Sequence, residues 1–180
     1  MAGARRLVHG HDRPEAIGNP EEEDVVMPTA VHWVRAVGNA LNLSTPLGLL
    51  VAAAGRSQVR TGPEALIVAE GYRLPLPKAG AFTIGGVVLV PGTRLTAVES
   101  RHPGTSAHEA RHSWQYFWLL GLPFLPLYAV AAGWSWLRTG DPWSRNWFER
   151  DAGLGPGGYS EHAADNAGLR QVGRALRLLR

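Results

Sequence analysis

Two histidines four residues apart, with a glutamate directly after the first, stand in the segment His108-Glu109-Ala110-Arg111-His112. On a helix, residues four apart share one face, so both imidazoles can point at a single ion. Zinc accepts neutral histidine nitrogen at about 2.0–2.1 Å. Glu109 borders the same face and can sit beside a metal without binding it. There it can take a proton from a water whose pKa zinc lowers to about 7. The spacing is that of the HExxH pattern. A structural use competes for the same residues. Ser106-Ala107-His108-Glu109 also reads as a capping box, in which Glu109 would bond the Ser106 amide.

Two ligands do not close a zinc site, because catalytic zinc usually keeps three protein ligands and one water. No third histidine continues the segment at the next helical repeat, since Trp118 occupies that position. The third ligand must come from downstream, from Asp141, Glu149, Asp151, Glu161, His162 or Asp165. Glu149 is the favoured choice. It follows Asn146, a good N-cap, and would lie in the first turn of a new helix. His162 is next in line. Asp151 is read as a residue that holds the far nitrogen of a ligating histidine. Gln115, three positions after His112, shares its face and either steadies a ligand or lines the cleft. Tyr128 and Tyr159 are the phenols that could meet a developing oxyanion.

The elements around these residues follow from periodicity and turn signals. Residues 1–27 are polar and rich in Pro and Gly, and read as a disordered tail. From Thr29, a plausible N-cap, Val31, Val34, Val37 and Leu41 recur at helical spacing. A second apolar helix is expected over 46–54. Between 64 and 100 the period shortens to that of strands, in runs at 65–69, 81–84 and 87–90, with 93–98 as a further strand; Gly and Pro separate them. This predicts a small antiparallel meander or hairpin pair. The HEARH helix should follow, capped by Thr105 or Ser106. An apolar segment over 119–137, a helix behind Asn146 and a last helix near 160–180 complete the chain. The last helix carries Leu169, Val172, Leu176 and Leu179 on one face, and arginines on the other. The expected architecture is a single α+β domain over 28–180, with its core at 80–165.

Composition narrows the functions. There is no cysteine, so disulfides and thiolate metal sites are excluded. The formal net charge is only +3, and no zinc finger or dense basic run accompanies it, so no nucleic-acid partner is expected. The N-terminus has no apolar leader segment, which favours a cytoplasmic protein over a secreted one. The 119–137 segment reaches the length of a spanning helix. Pro123, Pro126, Gly121 and Gly133 interrupt it, and the 31–54 region could cover it. The reading is therefore a soluble or membrane-associated protein, with a span as the alternative. The Arg-bearing last helix could touch anionic lipid; docking by its Leu face is preferred.

HExxH with a downstream helical glutamate resembles the gluzincin group of zinc metallopeptidases. The longer pattern His108-Glu-x-x-His112-x-x-Gln115 resembles the HExxHxxQ metallopeptidase-like domain of proteins associated with extracellular contractile injection systems, and similar runs occur in small uncharacterised bacterial proteins. The resemblance covers roughly 80–152 and includes 82–90, 122–128 and 146–149. It implies zinc bound by His108, His112 and Glu149, with Glu109 as general base. No recognisable motif supplies a Tyr or His stabiliser for the transition state. The expected function is hydrolysis of peptide bonds, with the strand near 84–90 holding an extended peptide substrate. The alternative is a non-catalytic zinc domain that binds a partner.

Overall fold

The computed structural model describes residues 27–75 and 79–178. The tail expected over 1–27 lies outside the described residues except for Met27, and so does Leu179. The elements are α1 (Ala30–Leu41), α2 (Ser44–Ala54), β1 (Gln58–Thr61), β2 (Ile67–Tyr72), β3 (Phe82–Ile84), β4 (Val87–Pro91), α3 (Leu95–Glu99), α4 (Thr105–Trp118), α5 (Phe124–Thr139), α6 (Trp147–Ala152) and α7 (Ala167–Leu178). This is a mixed α+β fold, as expected.

The sheet is a pair of antiparallel hairpins, β1–β2 and β3–β4, and not a simple meander. Its order is β1-β2-β4-β3, and β2 runs parallel to β4. Val87, Val88, Leu89 and Val90 explain the difference. All four are buried, so β4 is apolar on both faces and belongs inside a sheet. The exposed β1 (Gln58–Thr61) takes one edge. β3 takes the other and joins β4 through Gly85-Gly86, where Gly85 has φ +62°. Alternate residues of β4 then serve opposite layers. Val87 and Leu89 pack with Ala52 of α2, while Val88 and Val90 pack with Leu95 and Val98 of α3 and Ala110 of α4. Gly48 lets α2 lie close to the sheet, since a Cβ there would stand 2.5 Å from the Ile84 carbonyl oxygen.

Residues 95–99 are helical, not the strand expected over 93–98. The consequence reaches α4. Glu99, at the end of α3, accepts the amide N–H of Gly104 at 2.6 Å and that of Ser106 at 2.8 Å. The N-cap is Gly104, not Thr105 or Ser106, and no capping box forms. Because Glu99 serves the helix start, Glu109 is free to turn elsewhere.

Helices α1 and α7 depart further from expectation. The apolar stripe of α1 faces outward: Val31, Val34, Val37 and Leu41 are each more than half exposed, while Arg35 and Asn39 are completely buried. Arg35 donates to the Glu64 carbonyl and stacks over Trp114, and Asn39 bonds Ser113 across to α4. The α1 stripe therefore does not bury the 119–137 segment, and Leu127, Val130 and Trp134 of α5 stay exposed. The helix of that segment starts only at Phe124. Among the described residues no single helix is long and apolar enough to cross a membrane; α1 and α2 together are, but they meet at 75°. The last helix begins at Ala167, and Leu169, Val172 and Leu176 do not dock. Only Gly168 is buried, against the backbone of Trp136 and Leu137.

Candidate metal centre

His108 and His112 lie one turn apart on the buried face of α4. Glu149 reaches them from α6. That helix starts where the sequence places it, because the Asn146 side chain accepts the Phe148 amide at 3.0 Å. Glu149 does not fold back on this cap but points into the core, where it is 2% exposed. The three side chains meet. Nε2 of His108 and Nε2 of His112 are 3.0 Å apart, and Oε2 of Glu149 lies 3.3 and 3.6 Å from them. These three residues could hold a metal ion. Tetrahedral zinc with bonds near 2.0–2.1 Å separates its ligand atoms by about 3.3 Å, and the three observed edges bracket that value.

The hydrogen bonds on the outer side of each of these side chains fix which atoms face inward. Nδ1 of His108 lies 2.9 Å from the Gly153 carbonyl, which only accepts, so this nitrogen carries the proton. Nδ1 of His112 lies 2.8 Å from Oε1 of Gln115. The Gln115 amide is oriented by its NH₂, which donates to the Phe148 carbonyl and to Asp151. Oε1 must then accept from His112. Each imidazole therefore keeps a proton on Nδ1 and turns its Nε2 toward the carboxylate. Tyr128 donates to the other oxygen of Glu149, whereas Oε2 is buried and has no hydrogen-bond partner. Two imidazole nitrogens and one carboxylate oxygen thus converge at a buried point, and a buried polar atom without a partner demands an explanation.

The charges around the point respond to the crowding. Burial acts to raise the pKa of Glu149, but His108, His112 and the Tyr128 phenol outweigh it and bring the value down to about 2. Burial acts to lower His112, and the carboxylates of Glu149 and Glu109 more than offset it, so the net direction is upward. Glu109 is raised, chiefly by burial. Its carboxylate accepts the Thr83 hydroxyl at 2.7 Å, which ties it to edge strand β3.

A cleft of about 510 Å³ opens onto these groups, within the range of small-ligand sites. Phe82, Thr83 and Ile84 of β3 form one wall; Phe124, Leu125 and Tyr128 of α5 form another. Tyr159 closes a side, its ring 6.2 Å from that of His108 and stacked on Trp143. Gly157 makes that approach possible, because a Cβ there would fall 2.6 Å from Cε1 of His108. Burial raises the Tyr159 phenol, keeping it a proton donor.

The other sequence candidates lie elsewhere. His162 is exposed, with its amide bonded to Ser144. Asp141 accepts the amides of Trp143 and Ser144; Glu161 pairs with Arg150, and Asp165 with Arg170. Asp151 does not touch a histidine. It forms a two-pronged pair with Arg111 and reaches His112 only through Gln115, so Gln115 takes the supporting position expected of Asp151. Sequence reasoning missed Thr83, the Gly153 carbonyl and the pairing of Tyr128 with Glu149. Tyr128 gave a signal, as one of only two polar residues within 119–137. No family model matches the chain, and neither the curated proteins nor the solved structures give a match.

Proposed function

We propose that this protein binds one zinc ion through His108, His112 and Glu149 and hydrolyses peptide bonds as a metallopeptidase. The observation that carries the reading is the inward convergence of Nε2 of His108, Nε2 of His112 and the unpartnered Oε2 of Glu149. Two neutral nitrogens and one carboxylate suit zinc by ligand type and leave a fourth position for water. When bound, zinc supplies Lewis acidity to water and to a substrate carbonyl.

The remaining work falls to the chain itself. Glu109 accepts a proton from the attacking water and returns it to the leaving amine. Its buried position raises its proton affinity, and the Thr83 hydroxyl holds its orientation. Gln115 and the Gly153 carbonyl lock the imidazoles in the ligating tautomer. The Tyr159 phenol, kept protonated by burial, is the donor placed to meet a carbonyl oxygen in the cleft. An extended peptide would pair with β3 (82–84), which is an edge strand, and not with β4, which is interior to the sheet.

A second reading has one observation in its favour: the three ligands join α4 to α6, so a metal could simply pin two helices. Glu109→Gln separates the two. It preserves shape and removes the basic carboxylate. A peptidase variant keeps its zinc and loses turnover of a peptide library; unchanged turnover, or no turnover by wild type loaded with zinc, would leave only the structural metal.

A further inference from the structure

The outer surface of α1, α2 and α5 is built from residues that a water-facing helix avoids. No charged residue occurs within 36–55 or within 113–137. In a buried segment such runs would be unremarkable, but each of these also carries exposed large apolar residues. On α1 the polar side chains are inside and tied off, and the valines face out. On α5 the exposed positions include Leu125, Leu127, Val130 and Trp134.

The two uncharged stretches meet at one corner. The turn between α4 and α5 rests on the turn between α1 and α2, where a Cβ on Gly121 would stand 2.6 Å from Asn42 Cγ. That corner carries Leu41, Leu43, Trp118 and Leu120, with exposures of 78%, 61%, 70% and 77%. Large apolar patches on this scale mark an interaction site. A protein partner would find few hydrogen-bonding groups there, although protein interfaces usually carry about one hydrogen bond per 100–200 Å². Hydrocarbon needs none.

Charge at the border points the same way. Helix α7 crosses α5 at Gly168, whose Cβ position falls 2.1 Å from the Trp136 carbonyl oxygen. Beyond that crossing it is exposed along its length, with Leu169, Val172 and Leu176 interleaved with Arg170, Arg174 and Arg177. Arg138 lies over the Trp134 ring at 5.6 Å. Trp and Arg bordering an apolar face, beside a basic amphipathic helix, match the headgroup layer of an anionic bilayer. Length limits the depth: the 16 residues of α5 extend about 24 Å, short of the roughly 30 Å hydrocarbon core, and the α1–α2 pair is bent.

We propose that the corner formed by the α1–α2 and α4–α5 turns dips into one leaflet of an anionic bilayer, with the outer faces of α1 and α5 in contact with acyl chains and α7 lying among the headgroups. Leu125 belongs both to this surface and to the wall of the cleft, which places the cleft beside the lipid. The membrane contact does not depend on the metal reading and stands or falls separately.

The absence of cysteine makes the test clean, because an introduced thiol takes a fluorophore at one place. Leu120→Cys and Leu41→Cys report on the corner; Arg101→Cys reports from beyond the other end of α4, about 20 Å away. Each labelled full chain is mixed with vesicles of phosphatidylcholine and phosphatidylglycerol in equal parts, with or without brominated acyl chains. The corner labels should shift to the blue and be quenched by bromine, the Arg101 label should do neither, and phosphatidylcholine alone should bind more weakly. Leu41→Glu and Leu120→Glu should each reduce vesicle partitioning by roughly 10-fold or more. Corner labels that stay unchanged by vesicles would overturn the proposal. That holds whether the chain remains free, floats through α7 alone, or hides the corner against a second copy seen by crosslinking.

Discussion

Asn39 of α1 and His112 of α4 are buried polar residues on two helices that pack together, yet their surroundings differ. The Asn39 amide donates to the carbonyl and the hydroxyl of Ser113, and its own oxygen accepts from Asn42. Its polar atoms are used up within the fold. His112 is held on its outer side by Gln115, while its inner nitrogen lies 3.0 Å from Nε2 of His108 and 3.6 Å from Oε2 of Glu149. The Asn39 network closes on itself, whereas the His112 network meets Glu149 at a point where Oε2 has no hydrogen-bond partner. The two helices also differ outside. Helix α4 is enclosed by the sheet, α1 and α6, whereas α1 turns its apolar side away from the protein.

Substitutions that open or close these networks sharpen the contrast. The largest effect belongs to the proposed ligands. His112→Ala or Glu149→Ala should lower zinc affinity by more than the 10–100-fold typical of supporting residues, read by competition with a chelating dye. Equal affinity in both variants would make the open cluster no different from the closed one. Next, Glu109→Gln should cost about 100-fold in peptide turnover while zinc content stays at the wild-type level by elemental analysis.

Gln115→Ala tests the link between ligand and support. Loss of the tautomer lock should weaken zinc binding by about 10–100-fold and leave the stoichiometry at saturation unchanged. On the closed side, Asn39→Ala should destabilise the fold by about 1–3 kcal/mol, because Ser113 and Asn42 lose their partner. Denaturant unfolding measures it, and zinc affinity should not follow. Val37→Ser, on the outer face of α1, should change stability in water by no more than about 0.5 kcal/mol. A loss as large as that of Asn39→Ala would mean that this face is packed.

What the sequence made legible was local. The i, i+4 spacing placed two imidazoles on one face, and the Asn146 cap placed Glu149 in a first turn. Both relations lie within a single helix. The pairing of β2 with β4 was not legible, because β3 stands between them in the chain but not in the sheet. The burial of β4 on both faces hinted at it. The contact of Thr83 with Glu109 joins residues 26 apart, and nothing in either neighbourhood announces it. Helix α1 gives the plainest lesson. Its period correctly marks a helix and an apolar stripe, but a stripe does not say whether protein or something else covers it. Arg35 and Asn39 on the opposite face were the overlooked clue, since each is buried and bonded to a residue of another element.

The central claim is that three inward lone pairs hold a metal, and anomalous X-ray diffraction at the zinc edge tests it most directly. Crystals of the wild-type chain grown with zinc should show one strong peak per molecule within about 2.0–2.2 Å of Nε2 of His108, Nε2 of His112 and a carboxylate oxygen of Glu149. A cluster empty of anomalous signal at saturating zinc, with a proton shared between His112 and Glu149 in its place, would contradict the account.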